Sequence, residues 1–119
     1  IFLFFFCVIK QNTHLIICIN SSMLYGFAVC REELETRSLW HAVAGAYFVK
    51  NIFGVEDIDV INSIRFHTVG RAGMSRLEEI VYLGDLISAD RNYKDVDRMR
   101  KIVYNDLNEA MLEALFQNK

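Results

Sequence analysis

SRLEEIVYLGDLI, residues 75–87, decides the fold class. Ser75 is followed three residues later by Glu78. This is the arrangement of a capping box, in which the hydroxyl takes the amide of residue 78 and the carboxylate reaches back to the amide of residue 75. Leu77, Ile80, Val81, Gly84 and Ile87 then recur at helical spacing and read as the apolar stripe of a helix. No Pro occurs in the 119 residues, so helices must end by Gly, Asn or capping side chains rather than by ring clashes.

Outward from this segment the pattern stays helical from residue 31 onward, and no run of strict alternation competes with it. Upstream, Leu39, Val43, Ala46, Tyr47 and Val49 predict a helix over Leu39 to Phe53, with Gly54 as its stop. Glu56 or Asp57 can cap a following helix that gathers Val60, Ile61 and Ile64 on one face, before Thr68, Val69 and Gly70 open a turn. Downstream, Val96, Met99 and Val103 are spaced for burial on a helix that starts near Asp95. DLNE at 106–109 repeats the capping arrangement, which leaves either two successive helices or one helix bent near Asn105. Leu107, Ala110, Met111, Ala114 and Leu115 are the expected buried set of the last segment. Four or five short helices with short connections predict a compact all-α bundle.

Composition narrows the function classes. At 53% hydrophobic residues the chain can build a core, and 13 Lys+Arg against 15 Asp+Glu give no long-range attraction for DNA, RNA or anionic lipid. The dense basic stretch RMRK, 98–101, sits among acids, so no nucleic-acid partner is expected. Residues 1–30 hold one charged side chain, Lys10. The apolar run IFLFFFCVI at 1–9 is too short to span a bilayer, and neither a preceding basic stretch nor a cleavage site marks it for export. Residues 1–23 are therefore set apart as an atypical apolar segment, with residues 24–119 as the helical domain and no membrane role expected. Cys7, Cys18 and Cys30 show no metal-type spacing and read as buried free thiols in a reducing, cytoplasmic compartment. Neither GxGxxG nor GxxxxGK[ST] occurs, which removes the standard nucleotide-binding loops.

Few residues remain for chemistry. Asp85 lies inside an otherwise apolar helical turn, where a carboxylate must be neutralised, hydrogen-bonded or metal-bound. It could point into an interhelical cleft or serve as a salt-bridging acid. His67 closes a helix, where the dipole favours a cation, whereas His41 sits at a helix start that disfavours one. A neutral imidazole that ligates a divalent ion suits His41.

HAVAGAY (41–47), IRFHTVGRAGMSRLEEIVYLGDLI (64–87) and DLNEAMLEAL (106–115) together resemble the C-terminal two-thirds of the HD-domain hydrolases that split diadenosine tetraphosphate symmetrically, a bacterial family. The resemblance covers residues 24–119. It implies an HD-domain-like helical bundle truncated at its N-terminus, with two divalent ions, commonly iron, held by histidines and aspartates. His41, His67 and Asp85 fall on metal positions, His67 and Asp85 also serving the reaction. Thr68, Gly70 and Arg71 of the HTVGR turn, and Arg91, fall where such pockets meet substrate. The implied partner is a small dinucleoside polyphosphate, and a homodimer is the expected assembly. The implied reaction is in-line attack of a metal-activated water on an inner phosphorus, releasing two ADP.

Departures accompany the match. The family's adjacent His-Asp pair has no counterpart in this sequence, and His14, followed by Leu15, cannot supply it. Val43 stands where the family often carries Pro, and Gly84 and Ser88 depart from its LADxIE wording. The alternatives are an inactive or truncated nucleotide- or metal-binding remnant, or a helical interaction protein.

Overall fold

A computed structural model of the chain describes residues 29–117. The described residues hold helices and no strand: α1 (Arg31–Glu35), a 3-10 turn (Arg37–Leu39), α2 (Trp40–Asn51), α3 (Ile58–Arg65), α4 (Arg76–Leu86), α5 (Val96–Asn105) and α6 (Leu107–Gln117). The all-α expectation holds. The segment 1–23 lies outside the described residues, as do Cys7, His14 and Cys18.

Local chemistry sets the boundaries. Ser75 and Glu78 form the expected box, the hydroxyl accepting from the Glu78 amide at 3.3 Å and the carboxylate accepting from the Ser75 amide at 3.3 Å. Of the two cap candidates for α3, Asp57 takes the role, its Oδ1 accepting from the amides of Asp59 and Val60. α2 ends at Asn51, and Gly54 follows at φ +67, a left-handed conformation that suits glycine. The DLNE alternative resolves as two helices. Asp106 ends α5 in an extended conformation, and its Oδ1 accepts from the amides of Asn108 and Glu109 to start α6.

The bundle packs in sequence order, α2 on α3 and α3 on α4, with α6 against both α4 and α5. Ala46, Val49, Ile61 and Ile64 form one core between α2 and α3. Tyr82, Leu83, Met99, Ala110 and Ala114 form a second among α4, α5 and α6.

Three expectations need correction. The stripe assigned to α4 is not its buried face: Ile80 is 51% exposed and Gly84 is exposed, whereas Tyr82, Leu83 and Glu78 are buried. Apolar residues occur on more than one side of this helix, and spacing alone does not say which side meets the core. Leu115 is likewise exposed at 58%, because Ala110 and Ala114 let α6 approach its neighbours on the adjacent face. Cys30 is an exposed free thiol ahead of α1, not a buried one. The RMRK stretch is neutralised in part by Arg98–Glu113 and Arg100–Asp97 ion pairs. No helix among the described residues is long and apolar enough to cross a membrane.

Candidate metal centre

His41 lies in the first turn of α2, and His67 lies just beyond the end of α3. Because α2 and α3 pack together, these two helix ends adjoin. Both imidazoles are buried, their rings 5.0 Å apart between centroids and tilted by 70°. Their Nε2 atoms meet at 3.0 Å.

The other ring nitrogens determine what that contact means. His41 Nδ1 is 2.7 Å from the Ser38 carbonyl oxygen, and His67 Nδ1 is 2.7 Å from the Ile64 carbonyl oxygen. A carbonyl can only accept, so each Nδ1 carries a proton, and a ring that is neutral presents its lone pair at Nε2. Two lone pairs face each other at 3.0 Å only if a proton or another cation mediates between them. Anchoring Nδ1–H on a backbone carbonyl is also how metal-bound histidines are commonly oriented. The separation suits an octahedral ion: two nitrogens bonded at roughly 2.1 Å and set at its right angle stand about 3.0 Å apart. The Thr68 hydroxyl is 3.3 Å from the same Nε2 of His67, at the rim of this pair.

The anchors follow from the sequence. Each histidine stands three residues after its carbonyl, Ser38 in the 3-10 turn and Ile64 in the last turn of α3. Carbonyls at a helix C-terminus lack intrahelical partners, so the His67 ring satisfies one that the helix leaves over.

No protein-family model matches the chain. Among curated proteins it is 44% identical over 77 residues to the symmetrical bis(5'-nucleosyl)-tetraphosphatase of Bacillus subtilis and 46% identical over 77 residues to that of Halalkalibacterium halodurans, covering 65% of this chain in each case. Among solved structures it is similar to a predicted HD superfamily hydrolase involved in NAD metabolism from Clostridium acetobutylicum, with a TM-score of 0.76, 38% identity and 94% of this chain covered. The chain is homologous to the HD-superfamily hydrolases. The homology is to the symmetrical bis(5'-nucleosyl)-tetraphosphatase branch and extends over most of the chain. The chain spans 41% of the length of those two curated relatives and 58% of the solved one.

Asp85, the acid that the resemblance to HD-domain hydrolases assigns to metal, is engaged elsewhere. Its Oδ2 accepts from Arg91 Nη2 at 2.8 Å, and its carbonyl accepts from Arg91 Nε at 3.2 Å. Among the described residues no group of three or more His, Cys, Asp or Glu side chains is gathered to hold a metal ion. The two histidines are thus brought together, and Asp85 is not joined to them in such a group. Arg100 fixes the turn that carries Arg91, donating to the carbonyls of Ile87, Ser88 and Arg91. Tyr93 lies in the same turn, its hydroxyl buried without a hydrogen-bond partner among the described residues. Burial pushes its pKa up, against the opposing charges of Arg100 and Arg91.

Arg71, the expected phosphate contact of the HD-type HTVGR turn, makes a two-pronged ion pair with Glu78, Nε at 2.8 Å and Nη2 at 2.6 Å. Glu78 is the capping-box acid, its side chain fully buried, so one carboxylate both starts α4 and holds Arg71. Arg71 remains 34% exposed and also lies 5.3 Å from the Phe66 ring centroid. Gly70 has φ +68, with its amide donating to the Phe66 carbonyl, so it turns the chain between His67 and Arg71. The start of α4 is not an open anion site, since the Glu78 carboxylate already lies there.

Sequence reasoning missed the pair Glu33–Arg65, both of whose residues are buried. Nothing in REELE distinguishes Glu33 from its exposed neighbours until its partner, 32 residues away, is known. The Arg65 guanidinium beside Glu33 holds the carboxyl below its ordinary value of 4.5, with burial opposing and the Cys30 amide assisting. A carboxyl depressed on folding contributes stability that is present above the unfolded value and lost as pH falls through the folded one. Thermal melts should therefore show a midpoint that drops as pH is lowered below about 4.5, and Glu33→Gln should flatten the drop in that window. An equally steep acid limb in the variant would assign it to other carboxyls.

Proposed function

We propose that this chain contributes the His41–His67 half of a divalent-metal site in a phosphohydrolase that splits a dinucleoside polyphosphate, diadenosine tetraphosphate by analogy with its relatives, into two ADP. The observation that carries this is the 3.0 Å approach of two Nε2 atoms whose Nδ1 partners are each anchored on a carbonyl. His41 and His67, with Asp85, would hold the ion, iron being the family's common choice. A divalent ion held there would supply Lewis-acid polarisation of a phosphoryl oxygen and would lower the pKa of a water.

The protein's own residues do the remaining work. Arg71 presents a guanidinium whose plane is fixed by Glu78 and Phe66, and its exposed edge suits an oxygen of the polyphosphate. Thr68 can donate a hydrogen bond beside the imidazoles. Arg91, held by Asp85 and by the Arg100-braced turn, lies 35% exposed and offers a second cation to the substrate.

Product identity tests the proposal. With manganese or iron present, whatever hydrolysis the purified chain performs on diadenosine tetraphosphate should yield ADP alone and should vanish in His67→Ala. Formation of ATP with AMP, or turnover that persists in the variant, would contradict it.

A further inference from the structure

One buried ion pair ties together the two segments that hold the imidazoles. Glu33 lies on α1, just ahead of the 3-10 turn whose Ser38 carbonyl anchors His41. Arg65 is the last residue of α3, adjacent to Ile64, whose carbonyl anchors His67. Arg65 Nη1 meets Glu33 Oε1 at 2.6 Å and Nη2 meets Oε2 at 2.7 Å, the side chains only 3% and 10% exposed. The carboxylate is also steadied by the amide of Cys30, the N-cap of its own helix, at 3.1 Å, and the Arg65 guanidinium lies 4.9 Å from the Phe66 ring centroid.

Stability alone is a poor reason for such a pair, because the desolvation of two charges offsets most of their attraction and apolar residues of like volume often serve as well. A two-pronged arginine–carboxylate contact does impose a defined distance and orientation. Elsewhere between α2 and α3 the packing is aliphatic, through Ala46, Val49, Ile61 and Ile64, contacts that are less directional than a two-pronged ion pair.

We propose that Glu33 and Arg65 form a strut that sets the separation and tilt of the His41 and His67 rings, making both positioning residues for a divalent cation. This rests on the reading of the two histidines as a metal pair. The strut works at one remove: it fixes the Ser38 and Ile64 carbonyls, these fix the Nδ1–H bonds, and the bonds aim the Nε2 atoms.

The test uses the 119-residue chain, the double variant Glu33→Met/Arg65→Met, the single variant Arg65→Lys and, as reference, His41→Ala. Zinc affinity is measured by calorimetric titration, and ring tautomers by long-range nitrogen-15 spectra without metal. The double variant should keep a thermal midpoint near that of the parent while zinc binding weakens roughly 10–100-fold, the range seen when an outer-shell partner is lost. Its ring spectra should no longer report both histidines as Nδ1–H tautomers. Arg65→Lys keeps the charge and loses the fork, so it should show the same changes in smaller degree, and it decides the matter if the double variant does not fold. Parental affinity and ring spectra in the variants would overturn the strut. If the parent binds zinc no better than His41→Ala, the metal reading fails, and the ring spectra alone then decide whether the strut aims the imidazoles.

Discussion

His67→Ala is expected to weaken binding of a divalent ion to this chain by roughly 100-fold or more, beyond the loss that follows removal of an outer-shell partner. His41→Ala should match it, since each ring supplies one Nε2 to the same point. The fold should survive either change. Removing His67 deprives the Ile64 carbonyl of one donor, which by itself costs about 1 kcal/mol, and leaves Ala46, Val49, Ile61 and Ile64 of the α2–α3 core in place. Calorimetric titration beside a thermal melt separates the two effects. An unchanged affinity with an unchanged melt would mean that the histidines meet for a structural reason, sharing a proton rather than a metal.

The second large effect concerns rate. The 119-residue polypeptide by itself should hydrolyse diadenosine tetraphosphate at least roughly 1000-fold more slowly than the Bacillus subtilis relative, since incomplete metal ligation forfeits several kcal/mol of charge stabilisation and each 1.36 kcal/mol is tenfold in rate. The basis is chemical. The sequence has three histidines and no adjacent His-Asp pair, and among the described residues only His41 and His67 are brought together as candidate ligands. Parallel assays with saturating manganese check this. Turnover equal to that of the relative would show that the chain completes its metal site by means other than the family's His-Asp pair.

Much of the fold was legible because short-range chemistry decided it. The Ser75–Glu78 box, the Asp57 cap and the Asp106 break each depend on residues within three positions of one another, and each occurs where spacing placed it. Which face of α4 would be buried was not legible. Leu77 and Ile80 are as apolar as Tyr82 and Leu83, and only the position of α5 and α6 selects between them. Cys30 differs from its expectation for a related reason: its type favours burial, while its place at a helix start leaves it exposed.

At the candidate site the residue types were legible and their partners were not. The surroundings of His41 on the chain suit a neutral ligand, those of His67 suit a helix-closing cation, and the resemblance assigns both to metal; that they meet across 26 residues of sequence is visible only in the fold. The resemblance implies a phosphate contact for Arg71, yet its partner in the fold is the buried Glu78, whose spacing from Ser75 signals only a cap. Asp85 raised the opposite difficulty. An acid in an apolar turn demands a partner, and the choice between a metal and Arg91 depends on a turn that Arg100 shapes from another helix. Glu33 and Arg65 left no trace in the sequence at all, because a buried long-range ion pair has no local pattern.

X-ray absorption at the metal edge of the zinc- or iron-loaded chain addresses the central claim most directly, because it counts the imidazoles bound to the ion. Two imidazole nitrogens at roughly 2.0–2.1 Å, falling to one in His41→Ala and in His67→Ala, is the predicted result. A first shell of water and carboxylate oxygen alone, unchanged by either substitution, would contradict it.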